Sequence, residues 1–222
     1  MMEAVLFDLD GTLADTAPDL GCALNHMRRT RGLPPLPLSA MRPVTSLGAR
    51  GLLNVGFGMT PDHPDYAAMR KEFLQLYESN ICRETRLFPG MPELLGALEA
   101  RQVCWGVVTN KAEHLARLLL EELRLTARCA CIIGGDTTPN TKPHPAPLLA
   151  ACCSIRRDAG ACLYVGDDLR DIEAGRAAGM KVAAARWGYL NGGDPATWNA
   201  DWLLEEPSDL LKLLPAARSA SH

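Results

Sequence analysis

Six short apolar runs punctuate this 222-residue chain, and between them lie longer segments with helical spacing. The runs are Ala4–Phe7, Val103–Val108, Cys129–Ile133, Cys162–Val165, Val182–Ala185 and Trp202–Leu204. Each is continuous rather than alternating, the pattern of a strand covered on both faces. Helical patterns fall at Pro92–Arg101, Glu113–Leu123, Pro145–Cys153, Arg170–Ala178 and Ser208–Leu214, with Gly179 as a helix stop. Strand and helix in alternation predict an α/β fold with a doubly wound parallel sheet. That fold carries its own constraint: parallel strands bring their carboxyl ends to one edge, where ligands bind.

The rhythm breaks once. From about Thr16 to Arg83 no strand pattern occurs. Pro18–Thr30 and Asp65–Ser79 read as amphipathic helices, joined in part by the connector Gly32-Leu33-Pro34-Pro35-Leu36-Pro37. Three prolines cannot sit inside a helix, because each removes a donor and clashes with the preceding turn. The expected organisation is a core of residues 1–16 and 84–222, with residues 17–83 as an inserted helical unit. Ala216–His222 reads as a frayed end.

Charge and composition exclude several functions. Lys and Arg number 23 against 26 Asp and Glu, a net charge of −3, where nucleic-acid binders carry a basic surplus. No run approaches the roughly 20 apolar residues that span a bilayer. Asp8 and Asp10 interrupt the first apolar run, and no basic segment precedes it, so a signal peptide is not indicated. A cytoplasmic protein without a membrane or nucleic-acid partner is expected, as a monomer or weak homodimer. The eight cysteines form no Cys-x-x-Cys pair, and Cys104 and Cys162 lie in strand-like runs. Reduced structural thiols are expected rather than disulfides or a zinc site.

The chemistry concentrates at predicted strand ends. Val5-Leu6-Phe7-Asp8-Leu9-Asp10-Gly11-Thr12-Leu13 closes the first strand with two carboxylates two residues apart. Alone this can be a polar turn, since Asp and Gly favour turns. However, Thr109-Asn110 follow the second strand, Lys142-Pro143 the third, and Gly166-Asp167-Asp168-Leu169-Arg170-Asp171 the fourth. One sheet edge then gathers several acids, a lysine and hydrogen-bonding side chains. Crowded carboxylates repel, and a hard divalent cation such as Mg²⁺ relieves that repulsion.

These four segments, in order and each after its strand, resemble the four motifs of the haloacid dehalogenase-like superfamily. The resemblance extends over nearly the whole chain and places the insert where that family carries a small helical cap on a Rossmann-like core. It implies a Mg²⁺-dependent phosphatase acting on a small-molecule phosphate ester. Asp8 matches the nucleophile that becomes an aspartyl phosphate, and Asp10 the general acid and base. Thr109 and Asn110 match groups that hold phosphate oxygens, and Lys142 the residue that offsets charge. Asp167, the Asp8 carboxylate and the Asp10 backbone carbonyl match the metal ligands, while Asp168 or Asp171 would act through water or from behind. Asp168 stands where many relatives have Ser or Thr, and His144 where many have Asp.

The insert carries Ser46-Leu47-Gly48-Ala49-Arg50. Ser46 and Arg50 are candidate substrate-binding residues, with Arg50 between insert helices and suited to a substrate carboxylate; the plain alternative is an exposed helical arginine. His114 and His144 fit surface positions, and Trp187 and Tyr189 fit packing. The overall pattern is similar to phosphoglycolate phosphatases. With Trp105–Lys111 and Gly166–Glu173 the pattern is closer still to bacterial N-acetylmuramic acid 6-phosphate phosphatases. A dehalogenase would not need Asp10, whereas a sugar phosphomutase shares it and stays open as an alternative. A phospho-accepting receiver module fits poorly, because its acidic pair and acceptor occur in a different order. No Gly-x-Gly-x-x-Gly follows the first strand, which disfavours a dinucleotide site.

Overall fold

The computed structural model describes residues 2–214, so the segment Ala216–His222, expected to fray, lies outside the described residues. Strands β1 (Ala4–Phe7), β4 (Cys104–Val108), β5 (Ile132–Ile133), β6 (Cys162–Gly166), β7 (Lys181–Ala185) and β8 (Trp202–Leu204) form one sheet in the order β5-β4-β1-β6-β7-β8. Every neighbouring pair is parallel. The third predicted strand is shorter than its apolar run, because Cys129 is still held by the preceding turn through its N–H to the Leu125 carbonyl.

Side chains alternate across the sheet with the period of two that a pleated strand imposes. Ala4, Leu6, Cys162, Tyr164, Val182 and Ala184 face α7 (Ala146–Ile155) and α8 (Leu169–Ala177). Val5, Phe7, Leu163, Val165, Ala183 and Ala185 face the other way, into a core shared with α5 (Met91–Ala100) and α6 (Glu113–Glu122). Both faces are therefore dry, as continuous apolar strands require. Each fully buried Val, Leu or Phe contributes about 1.5–3 kcal/mol.

Between β2 (Ala14–Asp15) and β3 (Arg86–Leu87) lie four α-helices: α1 (Ala17–Thr30), α2 (Leu38–Met41), α3 (Gly48–Phe57) and α4 (Tyr66–Glu78). Strands β2 and β3 pair antiparallel, Ala14 with Leu87 and Asp15 with Arg86, so the chain enters and leaves the insert side by side. Arg50 is not between helices, as expected, but in the first turn of α3. Small residues build that helix into the insert: a Cβ on Gly56 would meet Leu24 Cδ1 at 2.6 Å, and one on Gly51 the Val44 carbonyl at 2.6 Å. The apolar cluster under β1 runs on through Leu20, Leu24, Met27, Leu52 and Phe73 of the insert. Among the described residues no helix is long and apolar enough to cross a membrane. All eight cysteines are free thiols, including Cys152 and Cys162, whose sulfurs lie 3.8 Å apart.

Candidate active site

Parallel pairing brings the ends of β1, β4, β5 and β6 together. The Asp8 N–H bonds to the Val165 carbonyl and the Thr109 N–H to the Ile133 carbonyl, both at 2.9 Å, so each residue is fixed as its strand finishes. Gly11 turns the chain back beside them at φ +92°, and a Cβ there would lie 2.3 Å from Asp167 Oδ2. Only glycine fits so close an approach with that backbone.

Asp8, Asp167 and Asp171 each place a carboxylate oxygen within 4.8 Å of the others, and all three are buried. Lys142 is the ammonium among them. Its Nζ is 3.0 Å from Asp8 Oδ1 and 2.6 Å from Asp171 Oδ1, and it also donates to the Tyr164 hydroxyl at 2.7 Å. Burial pushes the Asp8 carboxyl up to about 6; Lys142 pulls it down, and Asp171 and Asp10 push it further up. Burial likewise lifts Asp167 to about 8, reinforced by Asp8 and Asp171 and opposed by hydrogen bonds from the Thr12 hydroxyl and the Tyr189 N–H. Burial works against the Lys142 charge, yet Asp171 and Asp8 carry its pKa above the ordinary value. Three buried carboxylates against one buried ammonium leave an uncompensated negative charge. That donor set of hard oxygens fits a divalent cation such as Mg²⁺.

Asp168 and Asp171, left open on sequence, take separate positions. Asp171 enters the cluster: Oδ1 accepts from Lys142, and Oδ2 accepts from the Asp168 N–H at 3.0 Å. Asp168 turns away to cap α8, accepting from the Arg170 N–H at 2.9 Å and from Arg170 Nε at 2.8 Å. The guanidinium offsets its burial and holds its carboxyl below the usual range. Arg170 in turn donates to the Ser46 carbonyl at 3.0 Å, tying the insert to this loop.

Asp10 accepts from the Thr16 hydroxyl at 2.6 Å and from Lys111 Nζ at 2.9 and 3.2 Å. The sequence assigns Lys111 no role, though it closes the Trp105–Lys111 segment that carries the resemblance. The Thr109 hydroxyl accepts from the Lys111 N–H at 3.2 Å, which leaves its own proton to donate elsewhere. The Asn110 side chain, expected on phosphate oxygens, braces the lysine loop. Its amide donates to the Lys142 carbonyl at 3.0 Å and its oxygen accepts from the Lys142 N–H at 2.9 Å.

Ser46 lines the cavity from the insert. Its hydroxyl donates to Asp167 Oδ2 at 3.1 Å, so it touches the acid cluster itself. Tyr189 and Trp187 pack, as read, and do more: the Tyr189 hydroxyl accepts from the Thr16 and Ala17 N–H groups and donates to Asp15 Oδ1, while the Trp187 indole donates to the Thr12 carbonyl. They hold the β1 turn and the entry to the insert. Above the acids opens a cavity of about 240 Å³, lined by Asp8, Asp10, Thr109, Lys111 and Lys142 from the sheet edge and by Ser46, Arg50 and Arg70 from the insert.

Known proteins resemble this chain over most of its length. The family model for haloacid dehalogenase-like hydrolases matches residues 5–185. A phosphoglycolate phosphatase of Xanthomonas campestris pv. campestris (strain 8004) is 50% identical over 218 residues, covering 96% of each chain. An N-acetylmuramic acid 6-phosphate phosphatase of Pseudomonas aeruginosa is 42% identical over 217 residues, covering 97% of this chain and 96% of that one. The crystal structure of a predicted phosphoglycolate phosphatase from Haemophilus somnus 129PT superposes with a TM-score of 0.84 at 28% identity. It covers 96% of this chain and 97% of that one.

Proposed function

This chain belongs to the haloacid dehalogenase-like hydrolases, and from that premise we propose that it is a phosphomonoesterase working through Asp8 on a small, carboxylate-bearing phosphate ester. The observation that carries the reading is the Asp8 carboxylate itself. Its Oδ1 accepts from the Leu9 N–H at 2.7 Å and pairs with Lys142, while among the described residues its Oδ2 carries no hydrogen bond. One oxygen is anchored and the other is left to attack, at the floor of a cavity.

In this reading Asp8 Oδ2 bonds to phosphorus as the bond to the leaving alcohol breaks, giving an aspartyl phosphate. Asp10 supplies the proton to the alcohol oxygen, then takes one from the water that hydrolyses the intermediate. The Thr109 hydroxyl and Lys142 meet phosphoryl oxygens, where fixed donors stabilise developing charge. Asp8, Asp167 and the Asp10 backbone carbonyl would hold Mg²⁺, with Asp171 beside them. When bound, the cation offsets charge on the carboxylates and the phosphoryl group. Residues 17–83 act as a cap that closes off the cavity and excludes water during transfer. Arg50, on the cavity wall, meets the substrate's carboxylate.

Relatives named for phosphoglycolate and for N-acetylmuramic acid 6-phosphate both support an ester that also carries a carboxylate. The test is steady-state phosphate release from these two compounds, from hexose phosphates and from p-nitrophenyl phosphate, with Mg²⁺. A kcat/KM preference for the carboxylate-bearing esters supports the reading. Equal turnover of all four overturns the substrate class, and isomerisation of a hexose phosphate without net phosphate release makes the chain a mutase instead.

A further inference from the structure

Lys111 is an unusual lysine for a cavity wall. Its side chain is 7% exposed and bonds both oxygens of Asp10. Its ammonium also lies 4.4 Å from the centroid of the Tyr77 ring. Three groups therefore stand in line: Tyr77 on α4 of the insert, Lys111 after β4, and Asp10 after β1.

Tyr77 is completely buried, and its hydroxyl has no hydrogen-bond partner among the described residues. A buried hydroxyl without a partner is a cost, so hydrogen bonding is not what this tyrosine contributes in the structure. What it contributes is the ring face beneath a desolvated ammonium, a contact worth ten- to thirtyfold in an equilibrium. Leu20, Phe73 and Leu115 line the same cavity.

We infer that Tyr77 is a positioning residue for the general acid and base, acting through Lys111. Seating the insert places the Tyr77 ring against the ammonium, and the ammonium then fixes the Asp10 carboxylate by two bonds. Without the ring, Lys111 loses one of the two groups that hold it, and Asp10 is held less firmly. The consequence falls on proton transfer and not on substrate binding. This inference rests on the proposed roles of Asp8 and Asp10.

The assay is stopped-flow hydrolysis of p-nitrophenyl phosphate beside steady-state hydrolysis of an alkyl phosphate. p-Nitrophenolate leaves without a proton, so transfer to Asp8 survives a misplaced Asp10, whereas alkoxide departure and hydrolysis of the intermediate do not. Tyr77→Leu is expected to lower kcat on the alkyl ester about tenfold with KM within a factor of three. It should also produce a burst of p-nitrophenolate approaching one equivalent per site. Tyr77→Phe, which keeps the ring, should restore kcat. Lys111→Met tests the same line from the core side, leaving insert packing alone; it should lower kcat about a hundredfold with the same burst. In the Lys111→Met background, Tyr77→Leu should have no further effect, the non-additivity of residues acting in series.

Additive losses, an unchanged Lys111→Met enzyme, or a Tyr77→Leu defect confined to KM would each overturn the inference. If Tyr77→Leu does not fold, the Lys111→Met burst decides. Failure of the wild-type chain to hydrolyse any phosphate ester would instead overturn the phosphatase reading, so the two failures are separable.

Discussion

Replacing Asp8 by Asn should abolish turnover and, without metal, make the protein more stable. The reasoning starts from burial. The Asp8 carboxyl sits at about 6 in place of 3.8, so in the folded protein the ionised form is disfavoured by on the order of 3 kcal/mol. The sign is opposite to that of a surface acid. A carboxyl whose folded pKa is raised contributes stability that is fully present below about 4 and lost as pH rises through about 6. Asp167, at about 8, continues the loss into the alkaline range. An amide of the same shape removes one of these charges, and Lys142 keeps Asp171 at 2.6 Å and the Tyr164 hydroxyl at 2.7 Å. At about 2–4 °C per kcal/mol for a chain of this size, the gain at pH 8 in chelator is about 6–12 °C in Tm. Differential scanning fluorimetry of both proteins at pH 5, 6, 7 and 8, with and without Mg²⁺, measures it. The difference should be small at pH 5, grow to pH 8, and shrink or reverse with Mg²⁺, which stabilises the wild-type carboxylates. A variant no more stable than wild type at pH 8 without metal would refute the view that the acid cluster is electrostatically frustrated.

Three further outcomes follow from the site. Asp167→Ala should raise the Mg²⁺ requirement sharply, read as activity against free Mg²⁺, whereas Asp168→Ala, which loses a helix cap and the Arg170 clamp, should do so less; the reverse order would misassign the ligand. Arg50→Ala should lower kcat/KM for a carboxylate-bearing ester about 10- to 150-fold, the 1.5–3 kcal/mol of a charge-assisted bond, and p-nitrophenyl phosphate far less. Equal losses would make Arg50 a structural residue of the insert. Gly11→Ala should cripple activity and lower Tm, because its Cβ would overlap Asp167; near-normal activity would contradict the tight packing of the turn on that carboxylate.

The parts of this site legible in sequence are those written locally. Asp8, Thr109 and Asp167 each end an apolar run, and a parallel sheet brings such ends together whatever lies between. What sequence could not show are pairings made across the chain. Lys111 meets Asp10 across 101 residues, Arg170 reaches the Ser46 carbonyl across 124, and Tyr189 hydrogen-bonds Thr16 across 173. Helix α3 was obscured for a different reason. Its glycines at 51 and 56 weaken the helical pattern, and their value appears only against the Val44 carbonyl and Leu24, where a side chain would not fit. The Asn110 amide could not be read because its partner is backbone, and backbone partners leave no trace in side-chain identity.

The central claim is that phosphorus passes through Asp8, and chemical capture of the intermediate tests it most directly. Wild-type protein and the Asp10→Asn variant, which should accumulate the intermediate, are mixed with substrate and Mg²⁺, quenched in acid and reduced with borohydride. Reduction turns an aspartyl phosphate into homoserine, which peptide mass spectrometry locates. The account predicts homoserine at position 8, absent from Asp8→Asn and more abundant in Asp10→Asn than in wild type. Capture at another carboxylate, or full turnover by Asp8→Asn, would contradict it.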